Sequence, residues 1–204
     1  QGDGGVAAVR AKVDEWFAPR LPRAPPLRRP APLATLGIGL VVNTDAGAPP
    51  LPEDVALCFA RLAGQMAERG VVVVPQTSAL LRHPTFLATL LAEAPRSTLA
   101  FSQRIGVAAE ASGLHVMTMP TARWVETLTG LGACGALHLL LVWRASGSPA
   151  PAGHPLIPTI SVALAEDDAS PHAVPLADVV LPRQEGAVEW NDRVLRRMSE
   201  VASG

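Results

Sequence analysis

The chain has 204 residues, 49% of them apolar and 17% charged, with a formal net charge of −1. That length fits one domain of generous size, and the near-neutral charge, with Lys12 as the one lysine, excludes a strong electrostatic pull toward nucleic acid. Its longest apolar run, Leu137 to Trp143, is far shorter than the ~20 residues a membrane span needs, so a cytoplasmic protein that does not enter membranes is expected.

Residues 6 to 17 place Val6, Val9, Val13, Trp16 and Phe17 three or four apart, which predicts a leading helix. The stretch from Ala18 to Pro32 is rich in proline, lacks too many amide donors for helix or central strand, and reads as an extended arm. Its Arg20, Arg23, Arg28 and Arg29 read as solvated linker charge, with phosphate binding as the alternative. Residues 1–32 therefore form a leading helix and arm, and 33–204 a single α/β domain. The apolar richness and the arm together predict a homo-oligomer or a subunit that docks on a partner.

From residue 33 the pattern changes to short apolar runs separated by helices. Leu36 to Val42 reads as a buried strand. Glu53 to Arg69 reads as a helix with Val55, Phe59, Leu62 and Met66 inward, its acidic first turn matched to the helix dipole and Gly70 at its end. Val71 to Val74 is the next strand, and Pro84 to Ala94 a helix. Leu99 to Ala111 is read as helical, Leu114 to Thr118 as a strand, Ala122 to Leu131 as a helix and Ala136 to Val142 as a strand. Thr159 to Leu164 and Asp178 to Leu181 complete the strands. The closing helix, Val188 to Ala202, turns Trp190, Val194, Leu195, Met198 and Val201 inward. Strands alternating with helices, several of them wholly apolar, predict an α/β fold whose mostly parallel sheet carries helices on both faces.

In such a sheet ligands bind beyond the carboxyl ends of the strands, where loops and helix amino-termini converge. The residues at those ends are Asn43, Thr44 and Asp45; Gln76, Thr77 and Ser78; Thr118; Arg144, Ser146, Gly147 and Ser148; and Glu166, Asp167 and Asp168. They are small, polar and rich in hydroxyls, which suits a polyol or a carboxylate, although ordinary turns carry the same residue types. Asp45, beside Gly47, is a candidate general base or metal ligand, and a capping role is open to it as well. Arg144 can clamp a carboxylate by two parallel hydrogen bonds, and the Gly147 loop can bring backbone amides close.

Two cysteines, Cys58 and Cys134, stand far apart with no second ligand at metal spacing, which argues against a disulfide framework. The Gly-Ala-Cys134-Gly turn can expose a thiol, yet no paired base accompanies it. The five histidines, at 83, 115, 138, 154 and 172, show no metalloenzyme spacing, and His138, inside an apolar run, reads as a satisfied core residue.

These segments resemble, in order and spacing, the carboxyl-terminal region of the altronate and galactarate dehydratases. Arg29-Pro30-Ala31-Pro32-Leu33 followed by Gly37-Ile38-Gly39-Leu40 is similar to that family's entry into its first strand. Gly70 to Pro75 resembles its next strand. Gly113-Leu114-His115-Val116-Met117-Thr118-Met119-Pro120 is similar to Gly-Leu-x-Phe-Met-Asp-Thr-Pro. Thr129-Gly130 with Ala133 to Ala136, then Gly147-Ser148-Pro149, Gly153-His154-Pro155 and Pro158-Thr159-Ile160-Ser161-Val162, follow as the family's later motifs do.

The chain departs from the family at its charged positions. A Cys-Gly-Gly-Ser-Asp-Gly loop is replaced by Val42-Asn43-Thr44-Asp45-Ala46-Gly47, and a Glu after the second strand by Gln76. The Asp before Thr-Pro becomes Thr118, the arginine of a Gly-Arg-Gly loop becomes Ser146 with Arg144 two positions earlier, and the lysine of Ile-Lys-Val becomes Ser161. A segment is also missing between Leu80 and Leu99, and so is the small amino-terminal module. The resemblance implies metal-assisted removal of water from a sugar acid, with Fe, Mg or Mn as the cation. The departures imply altered or lost activity, with binding of a small carboxylate retained, or a non-catalytic subunit.

Overall fold

The computed structural model describes residues 32, 35–43, 50–93, 99–119, 123–136, 138–144, 153–165 and 177–203, and at 43, 93, 99–103 and 144 it describes the backbone alone. All belong to a unit spanning Pro30–Ser203. The leading helix, and all of the arm but Pro32, lie outside the described residues. The strands are β1 (Gly37–Asn43), β2 (Val71–Pro75), β3 (Leu99–Arg104), β4 (Gly113–Thr118), β5 (Leu139–Arg144), β6 (Thr159–Leu164) and β7 (Val179–Leu181). The helices are α1 (Glu53–Ala67), α2 (Pro84–Glu93), α3 (Trp124–Ala133) and α4 (Ala187–Ala202), with a 3-10 turn at Ala79–Arg82.

Among the described residues the strands form one seven-stranded sheet in the order β3-β4-β2-β1-β5-β6-β7, and every neighbouring pair runs parallel. The α/β reading from sequence therefore holds. The strands are near-continuous runs of Val, Leu and Ile because both faces are covered and alternate residues have no water to meet. On one face Ile38, Leu40, Val42, Val72, Val74, Leu139, Leu141, Ile160 and Val162 pack under α1, α2 and α4. On the other, Val41, Val73, Met117, Leu140 and Val142 meet Leu128 and Leu131 of α3 together with Ile157.

Helix α1 forms because its apolar side chains recur at the helical period. Val55, Phe59, Leu62 and Met66 are all buried, while Glu53 and Asp54 occupy the first turn, where the helix dipole favours acids. Burying a side chain such as Phe59 contributes about 1.5–3 kcal/mol. α1 packs against both α2 and α4, and Asn191 Nδ2 donates to Gln65 Oε1 at 3.1 Å across the α1–α4 contact. The start of α4 is held by the Glu189 carboxylate, which accepts from the Gly186 amide at 3.1 Å, and by the Trp190 indole, which donates to the Pro182 carbonyl at 2.9 Å. Trp190, Val194 and Met198 are buried as expected, and Leu195 and Val201 are half-buried against the same cluster.

Two expectations need correction. The stretch read as helical from Leu99 is strand β3, which pairs with β4 with Ser102, Gln103 and Arg104 opposite Val116, Met117 and Thr118. It ends in a turn where Gly106 takes φ 79°, a left-handed conformation that a helix interior does not hold, and the Val107 amide donates to the Arg104 carbonyl at 3.1 Å. Tertiary pairing along the edge of β4 overrode the local spacing.

The other correction concerns β5, which starts at Leu139 rather than Ala136. The preceding residues still belong to the exit of α3, where Ala136 donates to the Leu131 carbonyl at 3.0 Å and Gly135 takes φ 118°. His138 is exposed at the entry to β5 rather than in the core; its Nδ1 accepts from the Gly37 amide at 2.9 Å and its own amide donates to the Gly37 carbonyl at 3.2 Å. The shift carries Arg144 into the last position of the strand.

Candidate functional site

Because all the strands run the same way, their carboxyl ends gather on one edge of the sheet. Read across that edge, the final residues are Arg104, Thr118, Pro75, Asn43, Arg144, Leu164 and Leu181. Each strand-end position expected from sequence to carry chemistry falls on this edge or follows it directly in the chain.

The strand order decides which of them lie closest. After β1 the chain moves to one side, through β2 to β3 and β4. It then returns past β1 to lay down β5, β6 and β7 on the other side. The reversal falls between β1 and β5, and in an open parallel sheet the crevice beyond such a point is the expected ligand site. Asn43 and Arg144 are register partners there, with backbones about 4.8 Å apart. Thr44 and Asp45 follow the first of them in sequence, and Ser146, Gly147 and Ser148 follow the second. These five lie outside the described residues, as do Glu166, Asp167 and Asp168.

Gln76 and Thr77 stand one strand away from β1, at the exit of β2, and both are exposed. The Gln76 amide donates to the Met117 carbonyl at 2.9 Å, extending the β2–β4 ladder, and the Thr77 carbonyl accepts from Arg82 at 3.2 Å. Ser78 is buried and caps the 3-10 turn: its amide donates to the Pro75 carbonyl at 2.9 Å and its Oγ accepts from the Leu80 amide at 3.3 Å. Both its groups are engaged in holding the turn. Thr118 lies a further strand along, half-buried beside Arg104.

A cleft of about 550 Å³ opens at the ends of β3 and β4, lined by Arg104, Ile105, Val107, Thr118 and Met119. Sequence reading placed Thr118 on the edge and missed Arg104, which the helical reading concealed. The signal was present, since Ser102-Gln103-Arg104 before Gly106 repeats the pattern of a polar triplet closing a strand, as Asn43-Thr44-Asp45 and Gln76-Thr77-Ser78 do.

The cysteines are inert by placement. Cys134 is fully buried rather than presented on its turn, and its thiol donates to the Arg104 carbonyl at 3.3 Å, fastening the end of α3 to the end of β3. Cys58 is buried inside α1; desolvation pushes its thiol up to about 12, with the nearby Arg61 charge pulling weakly the other way. His115 is buried with Nε2 at 2.9 Å from the Ala111 carbonyl, and His154 Nδ1 accepts from the amides of Leu156 and Ile157 at 3.1 and 3.0 Å. Where the resembled family has lysine, Ser161 instead accepts from the Asp178 amide at 3.0 Å and donates to Asp178 Oδ2 at 2.7 Å, tying β6 to the start of β7.

Among the described residues no three His, Cys, Asp or Glu side chains come together as a cation would require. Among the described residues, those that reach the edge offer hydroxyl, amide and guanidinium groups, a set suited to an anion. No described helix is long and apolar enough to cross a membrane.

Fold and edge together define an open, all-parallel α/β sheet protein whose strand order reverses between β1 and β5. No family model matches the chain, and no curated protein matches it in sequence.

Proposed function

We propose that this chain is a diverged member of the sugar-acid dehydratase family that binds a small hydroxylated carboxylate at the crevice between β1 and β5. The observation that carries the reading is the register of Asn43 with Arg144 at the reversal of strand order. It makes an asparagine and an arginine neighbours in the ladder where an open parallel sheet receives its ligand. Arg144 would anchor the carboxylate, and Asn43, Thr44, Ser146 and Ser148 would meet the hydroxyls, with the Gly147 amide beside them.

If the family's chemistry survives, Asp45 takes the proton alpha to the carboxylate, the beta C–O bond breaks, and the hydroxide leaves as water with one proton. The resulting enol tautomerises to a 2-keto-3-deoxy acid. Fe, Mg or Mn would belong to that chemistry by kinship.

Calorimetric titration with galactarate and altronate tests the reading. Saturable binding is expected, weakened about 10–100-fold in Arg144→Ala, the worth of a charge-assisted pair of hydrogen bonds. Failure of both acids to bind, or an Arg144→Ala variant that binds as well as the parent, would overturn it. Assay of keto-deoxy product with added Mg²⁺, Mn²⁺ or Fe²⁺ then separates an enzyme from a binding protein.

A second reading, a non-catalytic homo-oligomer or partner subunit, is favoured by apolar side chains left open to water. Leu87 and Leu91, one helical turn apart on α2, are 38% and 63% exposed. Sedimentation velocity of the full chain distinguishes a monomer from an assembly.

A further inference from the structure

The cleft at the ends of β3 and β4 is removed from the β1–β5 crevice. β4 and β2 stand between β3 and β1, so Arg104 and Asn43 are three strand steps apart, roughly 14 Å at about 4.8 Å per step. Its lining is also of another kind. The sequence that follows β1 and β5 is rich in hydroxyls and amides, whereas here one guanidinium and one hydroxyl stand with three apolar side chains, Ile105, Val107 and Met119.

The local chain explains that lining. Gly106 at φ 79° and the bond from the Val107 amide to the Arg104 carbonyl turn the backbone sharply after β3. Ile105 is thereby pressed toward Gly130 of α3 while remaining 39% exposed, and Val107 is 49% exposed. The Arg104 carbonyl is fully used, accepting from both Val107 and the Cys134 thiol, so the backbone is fixed from below. Its side chain is exposed, and among the described residues no carboxylate meets it. A cation with no counter-charge among the described residues, beside water-exposed apolar groups, complements an anion that carries an apolar body. A sugar acid does not fit this description, because its hydroxyls would lie against Ile105 and Val107 without partners.

We propose that this cleft is a second ligand site, independent of the β1–β5 crevice, that takes a small monocarboxylate with an apolar tail. The carboxylate sits on Arg104, and the tail lies against Ile105, Val107 and Met119. The volume of about 550 Å³ falls within the range of small-molecule sites.

The test is NMR-detected titration of the full chain with hexanoate, hexanamide and inorganic phosphate. Hexanoate is expected to saturate, with hexanamide at least about tenfold weaker for want of the charge and phosphate weaker again for want of the tail. Arg104→Gln is expected to lower hexanoate affinity about tenfold or more. Val107→Asp, which sets a like charge in the apolar wall, should do the same, and Arg144→Ala should leave hexanoate binding unchanged. Equal binding of hexanamide would overturn the proposal, and so would phosphate competing as well as hexanoate. Hexanoate binding that survives both Arg104→Gln and Val107→Asp, or that is lost in Arg144→Ala, would overturn it as well.

Discussion

Replacing Gly39 by alanine tests how closely α3 is pressed onto the sheet. A methyl group at Gly39 would lie 2.7 Å from Leu140 Cδ2, 3.2 Å from Ala136 Cβ and 3.3 Å from Leu131 Cδ1. All three neighbours are fully buried, so the leucine end must move within a packed core, at a cost of about 1–3 kcal/mol. Relief of glycine's backbone entropy returns about 0.5–1 kcal/mol. The net expectation for Gly39→Ala is a loss of roughly 1–2 kcal/mol.

Leu140→Ala alone should cost about 2–5 kcal/mol through the cavity it leaves. In the double variant the new methyl occupies part of that cavity, so the combined loss should fall short of the sum by about 1 kcal/mol. Urea unfolding followed by tryptophan fluorescence measures all three, with Trp143 and Trp190 buried as reporters. Additivity of the two losses, or a Gly39→Ala variant more stable than the parent, would refute the contact between β1, β5 and the exit of α3 as described.

Cys58 should resist thiol reagents at pH 8 until the chain unfolds. Its thiol is raised in the folded state from 9.0 to about 12, so the folded protein holds its proton where the unfolded chain releases it. The stability it contributes is full below pH 9 and is lost as pH rises from 9 toward 12. The stability difference between the parent and Cys58→Ala should thus shrink above pH 9, by up to about 1.4 kcal/mol per pH unit; parallel pH profiles would exclude this. Ser161→Ala removes the acceptor of the Asp178 amide and a donor to its carboxylate, and should cost about 1 kcal/mol. Hydrogen exchange should quicken in β7 and leave β1 unchanged; uniform change across the sheet would show that the Ser161–Asp178 pair is not a local clamp.

Much of the architecture was legible from periodicity. The apolar spacing of α1 and α4 and the runs of β1, β2, β4 and β6 gave elements within about two residues of those observed, because their residues meet the core on every turn or on both faces. β3 was not legible, since its Leu99–Arg104 segment carries a spacing that reads as helical and only its pairing with β4 makes it a strand. His138 and Cys134 were misplaced for a related reason: both sit at the junction of α3 and β5, where a tight turn and not a repeating pattern sets burial. The candidate site divides in the same way. Polar triplets after apolar runs marked Asn43 to Asp45 and Gln76 to Ser78, yet nothing in those triplets showed that Ser78 is consumed in capping a turn.

By itself the sequence determined which segments are apolar on both sides, hence that the sheet is parallel and that its polar residues collect at one edge. That follows from local chemistry, because a strand covered on both faces excludes polar side chains wherever it lies. Only the tertiary structure decided the order of the strands. The order sets Asn43 against Arg144 at the reversal and leaves Thr118 two strands off beside Arg104, because neighbours in a sheet are chosen by crossovers and packing between segments some hundred residues apart.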